Sequence, residues 1–348
     1  MRNAGYDHMV FEGKADKPIY VLVSDEKVEF REAEHIWGRD SHETEDIIRN
    51  ETEDSGKKVR IACIGPAGEK LVRIAAVMND KHRAAARCGI GAVMGSKNLK
   101  AVAVRGSRKA EIADDTALKG LSKEAVNKIK SKPEMETLSQ FGTAGVVTLI
   151  NAMGILPTRN FQRTAFEKAM NISGEFLAEK FLQKNKACFG CPVGCGRGAA
   201  VKESGYEGEG EGPEYETIAM LGSSLENGKL ADVTKANYLC NRLGIDTISA
   251  GGTIACAMEM FEKGYISKHD TGMELRFGDE KLVVELIDLI GKREGFGDAL
   301  AEGGFPLAQK YGHPECFMGV NKMEIPGYEP RGAKGMGITY MTSKRFRT

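Results

Sequence analysis

Three cysteines and the residues between them offer the clearest chemistry in this chain. Cys188-Phe189-Gly190-Cys191-Pro192-Val193-Gly194-Cys195 reads C-x2-C-x3-C. Thiolates at this spacing converge only where the backbone curls tightly, which Gly and Pro permit. A structural zinc or an iron–sulfur cluster usually takes four ligands, so Cys188, Cys191 and Cys195 supply three and the fourth comes from elsewhere. Zinc more often uses C-x2-C pairs or His, and the nearest histidines, His82 and His269, have no ligand-like context. A dithiol redox pair would need a thioredoxin-like setting. The spacing therefore favours a [4Fe–4S] cluster. Arg197, two residues on, could donate to a cluster sulfide or an anionic neighbour, or could lie at the surface.

Three further constellations could do chemistry, each with a plainer alternative. Gly89-Ile90-Gly91-Ala92-Val93-Met94-Gly95-Ser96-Lys97-Asn98 lacks the ending of a P-loop. Its glycines would let backbone groups approach a phosphate and its metal ion, with Arg83, Arg87 and Lys97 supplying charge. It reads equally as a turn joining a short helix to a strand at 99–104. Glu211-Gly212-Pro213-Glu214-Tyr215-Glu216-Thr217 places Pro213 in a first helical turn with Glu214 and Glu216. Those carboxylates complement a helix dipole, or one turns inward as a general acid or base. Asn241-Arg242-Leu243-Gly244-Ile245-Asp246 ends one helix at Gly244, and Asp246 either caps the next helix or accepts hydrogen bonds from an N–H-rich heterocycle.

The elements that must hold these residues fall into two kinds. Residues 9–13, 18–23, 59–64 and 101–104 are β-branched or aromatic runs bounded by Gly turns, so the first 113 residues read as a β-rich domain without a βαβ period. From 114 to 311 apolar spacings of three and four predict helices over 117–131, 143–153, 174–185, 214–227, 230–243, 248–263 and 280–293. Residues 312–348 open a third, turn-rich segment. The fold class expected is α+β.

Composition narrows the partners. The 49 basic and 49 acidic residues cancel, and no basic stripe is interleaved with aromatics, so nucleic acid is not an expected partner. No apolar run approaches the ~18–20 residues that cross a membrane, and the N-terminus carries no signal-peptide pattern. A cytoplasmic protein is expected. Glycine reaches 42 of 348 residues, well above the usual ~7%, consistent with many close backbone approaches, as around a bulky cofactor. Cys63, Cys88, Cys240, Cys256 and Cys316 are isolated and read as core thiols.

Taken together, these residues resemble the aldehyde ferredoxin oxidoreductase family. The resemblance rests on 91–100, 188–196, 212–217, 241–246 and 328–335, and spans 3–343. It implies a tungsten or molybdenum ion chelated by two pterins, a magnesium ion bridging the pterin phosphates, and a nearby [4Fe–4S] cluster that passes electrons to ferredoxin. It implies a β-rich base domain for the pterins followed by two largely helical domains. Cys188, Cys191 and Cys195 match three cluster ligands. Asn241, Gly244 and Asp246 match the first pterin motif, with Asn241 replacing the usual Asp. Ala92 matches a backbone carbonyl at the magnesium, Arg197 lies toward a pterin, and Glu216, with Glu214 as the alternative, matches a carboxylate beside the metal. The implied reaction converts an aldehyde and water to a carboxylic acid. A homodimer is left open.

The chain also departs from the family's pattern. It begins partway into the β-rich domain. The second pterin motif, a metal-side His and the fourth cluster cysteine are missing, and Lys344-Arg345-Phe346-Arg347-Thr348 breaks the pattern after Ser343. A truncated or frame-shifted reading is expected, and the alternative to an oxidoreductase is an inactive remnant or partial cofactor-binding module.

Overall fold

The computed structural model describes residues 1–25, 27–52, 59–109 and 111–343, and they form two compact units. The break predicted after Ser343 lies outside the described residues. One unit comprises Met1–Ala113, Cys240–Asp246 and Asp288–Glu302. The other comprises Asp114–Leu239, Thr247–Ile287 and Gly303–Thr348.

The first unit is built on six strands, β1 (Ile19–Val23), β2 (Val28–Glu32), β3 (Arg60–Ile64), β4 (Val77–Asn79), β5 (Arg83–Ala85) and β6 (Leu99–Val104). Their order is β2-β1-β6-β3-β4-β5, and only β1 and β6 run parallel. Alternation along β1 sends Tyr20 and Leu22 to one face and Val21 and Val23 to the other, as a two-residue period requires. The first face packs against Ile48 of helix α1 (Ser41–Glu51), which opens with an Asp40–Glu43 capping box. The second face is covered by Ala4, Tyr6, Met9, Phe11 and Met94. Met9 and Phe11 cover the sheet without joining it: the strand predicted over 9–13 is irregular chain with no ladder, ending in a bend at Gly13.

Two short helices, α2 (Pro66–Glu69) and α3 (Ile90–Ser96), lie between the strands. The Gly-rich run is therefore mostly helix rather than loop. Its glycines serve packing: a Cβ on Gly91 would lie 2.5 Å from Ala76 O, and one on Gly95 would strike Gly68 O. Lys97 donates to Gly13 O at 2.9 Å, which ties down the N-terminal arm.

In the second unit, α4 (Asp115–Lys130) and α5 (Pro133–Phe141) precede the short helices α6 (Val147–Ala152) and α7 (Gly174–Lys180). A three-stranded antiparallel sheet follows: β7 (Leu182–Lys186), β8 (Gly196–Val201) and β9 (Gly208–Glu211). The helix predicted over 174–185 thus stops at Lys180 and its second half is strand. Beyond β9 come α8 (Tyr215–Leu221), α9 (Leu230–Leu243), whose residues from Cys240 belong to the first unit, α10 (Thr247–Glu262), α11 (Lys268–Thr271) and α12 (Glu280–Lys292), whose residues from Asp288 belong to the first unit. Helix α10 is buried along most of its length and packs on α8. Phe161, Met220, Ile325 and Tyr340 form an apolar cluster of this unit.

Candidate metal and cofactor sites

The cysteine run occupies the β7–β8 connection. Gly190 (φ +69°) and Gly194 (φ +68°) take left-handed conformations that reverse the chain between thiols. Cys188 and the Phe189 side chain are exposed, while Cys191 and Cys195 are half-buried. The Cys191 N–H donates to Cys188 O at 3.0 Å. The Val193 and Gly194 N–H groups point at the Cys191 sulfur and hold that thiol below its ordinary pKa. Burial pushes the Cys195 thiol up, and the Glu214 carboxylate and the other two thiols add to the shift. The three sulfurs thus sit within electrostatic reach of one another. Among the described residues, no group of three or more His, Cys, Asp or Glu is close enough to share one metal ion. The donor set on this loop is three thiols, the ligand type that iron–sulfur clusters take.

Arg197 is not a surface residue: it is only 3% exposed. Its guanidinium donates to Gln140 O and Ser139 O at 2.7 Å each and to Gly194 O at 2.7 Å. Its Nε is shared between Gly196 O at 3.1 Å and Cys195 O at 3.2 Å. Ser139 and Gln140 lie in the last turn of α5, where carbonyls lack helical partners and a cation is favoured.

Glu214 precedes α8 at the N-cap position and Glu216 sits in its first turn, so Pro213 lies outside the helix rather than in that turn. Thr143 Oγ1 donates to Glu214 Oε2, and the Tyr215 N–H donates to Thr143 Oγ1 at 3.0 Å. Glu214 therefore faces the cysteine side of this unit. Glu216 turns the other way, toward the 323–331 segment: the Gly327 N–H donates to Glu216 Oε2 at 2.7 Å. The buried Tyr215 hydroxyl donates to Gly327 O. Tyr215 and Tyr328 pack ring against ring at 5.0 Å, and burial together with the Glu216 carboxylate raises the Tyr328 phenol's pKa. Spacing alone did not reveal Thr143, Tyr215 or Gly327, because each acts across more than 70 residues of sequence.

In the first unit, Gly244 (φ +72°) ends α9, and both its N–H and that of Ile245 donate to Cys240 O at 2.9 Å. A Cβ here would lie 2.9 Å from Gly65 N. Gly244 O accepts the Ala76 N–H at 2.8 Å, and the Asp246 N–H donates to Ile74 O at 3.0 Å. The Gly91 N–H donates to Ala75 O at 3.0 Å. Residues 74–76 thus brace the 241–246 turn and the helix carrying half-buried Ala92. Asn241 is half-buried, and its carbonyl accepts from Ser41 Oγ at 2.7 Å. Asp246 is 2% exposed and pairs with Arg87, Oδ2 to Nε 3.5 Å. Cys63, Cys240, Cys256 and Cys316 are buried as expected of core thiols, whereas Cys88 is exposed at φ +74°.

Comparison with known proteins decides what these features belong to. The family model described as "Aldehyde ferredoxin oxidoreductase, N-terminal domain" matches residues 1–106, and "Aldehyde ferredoxin oxidoreductase, domains 2 & 3" matches 120–346. The chain belongs to the aldehyde ferredoxin oxidoreductase family. It is 50% identical over 348 residues to a tungsten-containing aldehyde ferredoxin oxidoreductase of Pyrococcus furiosus, covering 99% of this chain and 57% of that protein. The Thermococcus kodakarensis enzyme of the same name is 46% identical over 348 residues, with the same coverage. An aliphatic sulfonate oxidoreductase, WOR-like subunit, of Pyrococcus furiosus is 34% identical over 323 residues, 89% of this chain and 51% of that one. A solved benzoyl coenzyme A reductase active-site complex, BamBC with 1,5-dienoyl-CoA, superposes with a TM-score of 0.83 at 27% identity, covering 99% of this chain and 54% of that one. The chain thus spans little more than half the length of these family members. The α+β architecture agrees with the family, and among the described residues no helix is long and apolar enough to cross a membrane.

Proposed function

We propose that this chain carries cluster-binding and pterin-binding parts of a tungsten oxidoreductase that converts an aldehyde and water to a carboxylic acid, two protons and two electrons, with ferredoxin as acceptor. The cysteine connection carries this reading: three thiols on a reversed loop, one already receiving backbone N–H groups, inside a family whose members are named as tungsten enzymes. Cys188, Cys191 and Cys195 would hold three irons of a [4Fe–4S] cluster. Asn241, Gly244 and Asp246 would border the pterins, and the Ala92 carbonyl would face a magnesium ion at their phosphates. When bound, the tungsten or molybdenum bis-pterin supplies the oxygen-transfer and electron-accepting chemistry.

The protein's own part is positioning and proton handling. Glu216 is our candidate proton carrier. One of its oxygens is fixed by the Gly327 N–H, which orients the carboxylate. Relatives named for aldehydes are 46–50% identical and the one named for a sulfonate 34%, which favours the aldehyde class. A cytoplasmic setting completes the reading.

Elemental analysis of the chain, produced anaerobically with tungsten and iron supplied, tests it. Tungsten or molybdenum near one per chain with about four irons is expected. Iron alone would reduce the reading to a cluster-binding module, and zinc or no metal would reject it. In a tungsten-loaded protein, Glu216→Gln should lower aldehyde turnover by 10²-fold or more with metal content intact. Unchanged turnover would remove Glu216 from the proton path.

A further inference from the structure

We infer that Arg197 is the positioning residue of the cysteine loop, shaping it before any metal arrives and providing the buried positive charge beside a loaded cluster. The second half of this inference rests on the cluster reading above; the first does not.

The geometry is specific to arginine. Its planar fork reaches carbonyls on two separate pieces of chain: Gly194, Cys195 and Gly196 in the loop, and Ser139 and Gln140 at the end of α5. A lysine offers three donors from one point and cannot span both sets. The two pieces are also in close contact. A Cβ on Gly142 would lie 2.8 Å from Cys195 O and 3.3 Å from the Arg197 side chain. The Arg197 carbonyl accepts the Gly212 N–H at 2.6 Å, which ties the third strand of the small sheet to the same point.

Removing the fork would take the donor from several partly buried carbonyls, each costing free energy where water cannot replace it. The loop would then be free to open. Cys188, Phe189 and Gly190 are exposed, and among the described residues the backbone bond within the loop is that from the Cys191 N–H to Cys188 O.

Charge gives the second consequence. A cluster gains negative charge on reduction, and its potential responds to nearby charge and to hydrogen bonds at its sulfurs. A buried guanidinium whose donors all go to carbonyls acts through its field rather than by ligation. It favours the reduced state and raises the potential.

The test compares wild type, R197K and R197Q in the 348-residue chain. In the metal-free protein, amide hydrogen exchange over 186–198 should quicken at least tenfold in both variants, with the remaining sheets and helices unchanged. Exchange equal to wild type in R197Q would overturn the positioning role. After anaerobic reconstitution with iron and sulfide, a redox titration followed by electron paramagnetic resonance reads the cluster. The potential should fall in R197Q and recover in R197K, which keeps the charge while losing the fork. A potential unmoved in R197Q would overturn the charge role while leaving the loop role standing. A wild-type chain that takes up no iron overturns both the charge role and the cluster reading, and the exchange result still decides the loop role. Should R197Q prove too unstable to purify, exchange in R197K, which loses the fork but keeps the charge, decides the positioning role by quickening the same segment. Wild-type exchange in that variant would count against the positioning role.

Discussion

Arg87 and Asp246 meet at 3.5 Å, with side chains 13% and 3% exposed, although 159 positions separate them in sequence. The pair fixes the end of the 241–246 turn to the segment leading into α3. A buried ion pair adds little over an apolar pair, but breaking one partner leaves a desolvated charge. Asp246→Asn should therefore lower the stability of the metal-free chain by roughly 3 kcal/mol. The urea midpoint measures it. A midpoint equal to wild type would mean that Arg87 finds another acceptor once Asp246 is neutralised.

A second buried pair offers a sharper version of the same test. Lys100, fully buried, donates to Glu69 and to Arg39 O at 2.8 Å, and the Gly38 N–H donates to Glu69 Oε2 at 2.7 Å. Burial raises the Glu69 pKa against the opposing pull of Lys100. Glu69→Ala should cost about 3–5 kcal/mol, because Lys100 keeps its charge without a partner. The double variant Glu69→Leu/Lys100→Met should recover most of that loss. Equal stability for the single and double variants would show that the two side chains are not energetically coupled.

These pairs mark the limit of what the sequence displays. The cysteine connection is legible because its ligands are neighbours and its turns need Gly and Pro. The helices over 230–243 and 248–263 are legible because an apolar stripe repeats every three or four residues. Strand β7 is not: Leu182-Gln183-Lys184-Asn185-Lys186 is polar and largely exposed, so it is a strand by pairing with β8 and not by pattern. Residues 9–13 fail in the opposite sense, with a strand-like pattern and no partner strand among the described residues. The Gly-rich run looked like a phosphate loop because glycine signals close approach, and sequence cannot say whether a ligand or another backbone makes that approach. Arg197 gave no local sign of burial, since its partners on α5 lie more than 50 residues earlier.

The edge of the six-stranded sheet carries a liability that can be measured. Strand β2 is an outer strand, and its Phe30 and Val28 side chains are 71% and 44% exposed on one face. Unpaired ladder groups beside exposed apolar residues template association. Phe30→Lys should change folding stability by no more than about 0.5 kcal/mol. It should also slow aggregation on heating several-fold, as followed by light scattering. Aggregation at the wild-type rate would place the sticky surface elsewhere.

Asp232, in the first turn of α9, gives the chain a pH dependence of defined sign. It is fully buried, accepts from Asn227 Nδ2 at 2.6 Å, and its other oxygen has no hydrogen-bond partner among the described residues. Burial pushes its pKa up to about 7, opposed by the Asn227 bond and by Lys229 and reinforced by Glu280 and Asp279. The fold therefore prefers the protonated acid. Below the ordinary carboxyl pKa of about 3.9 both folded and unfolded chains hold the proton and nothing is lost. As pH rises toward 7 the unfolded chain releases the proton first, so stability drains away until the folded group also ionises. Asp232→Asn keeps the shape and the Asn227 bond while removing the ionisation. The variant should match wild type at pH 4 and exceed it by about 4 kcal/mol at pH 8. Denaturant midpoints at the two pH values decide the matter: a constant offset would mean that packing, rather than ionisation, separates the two proteins.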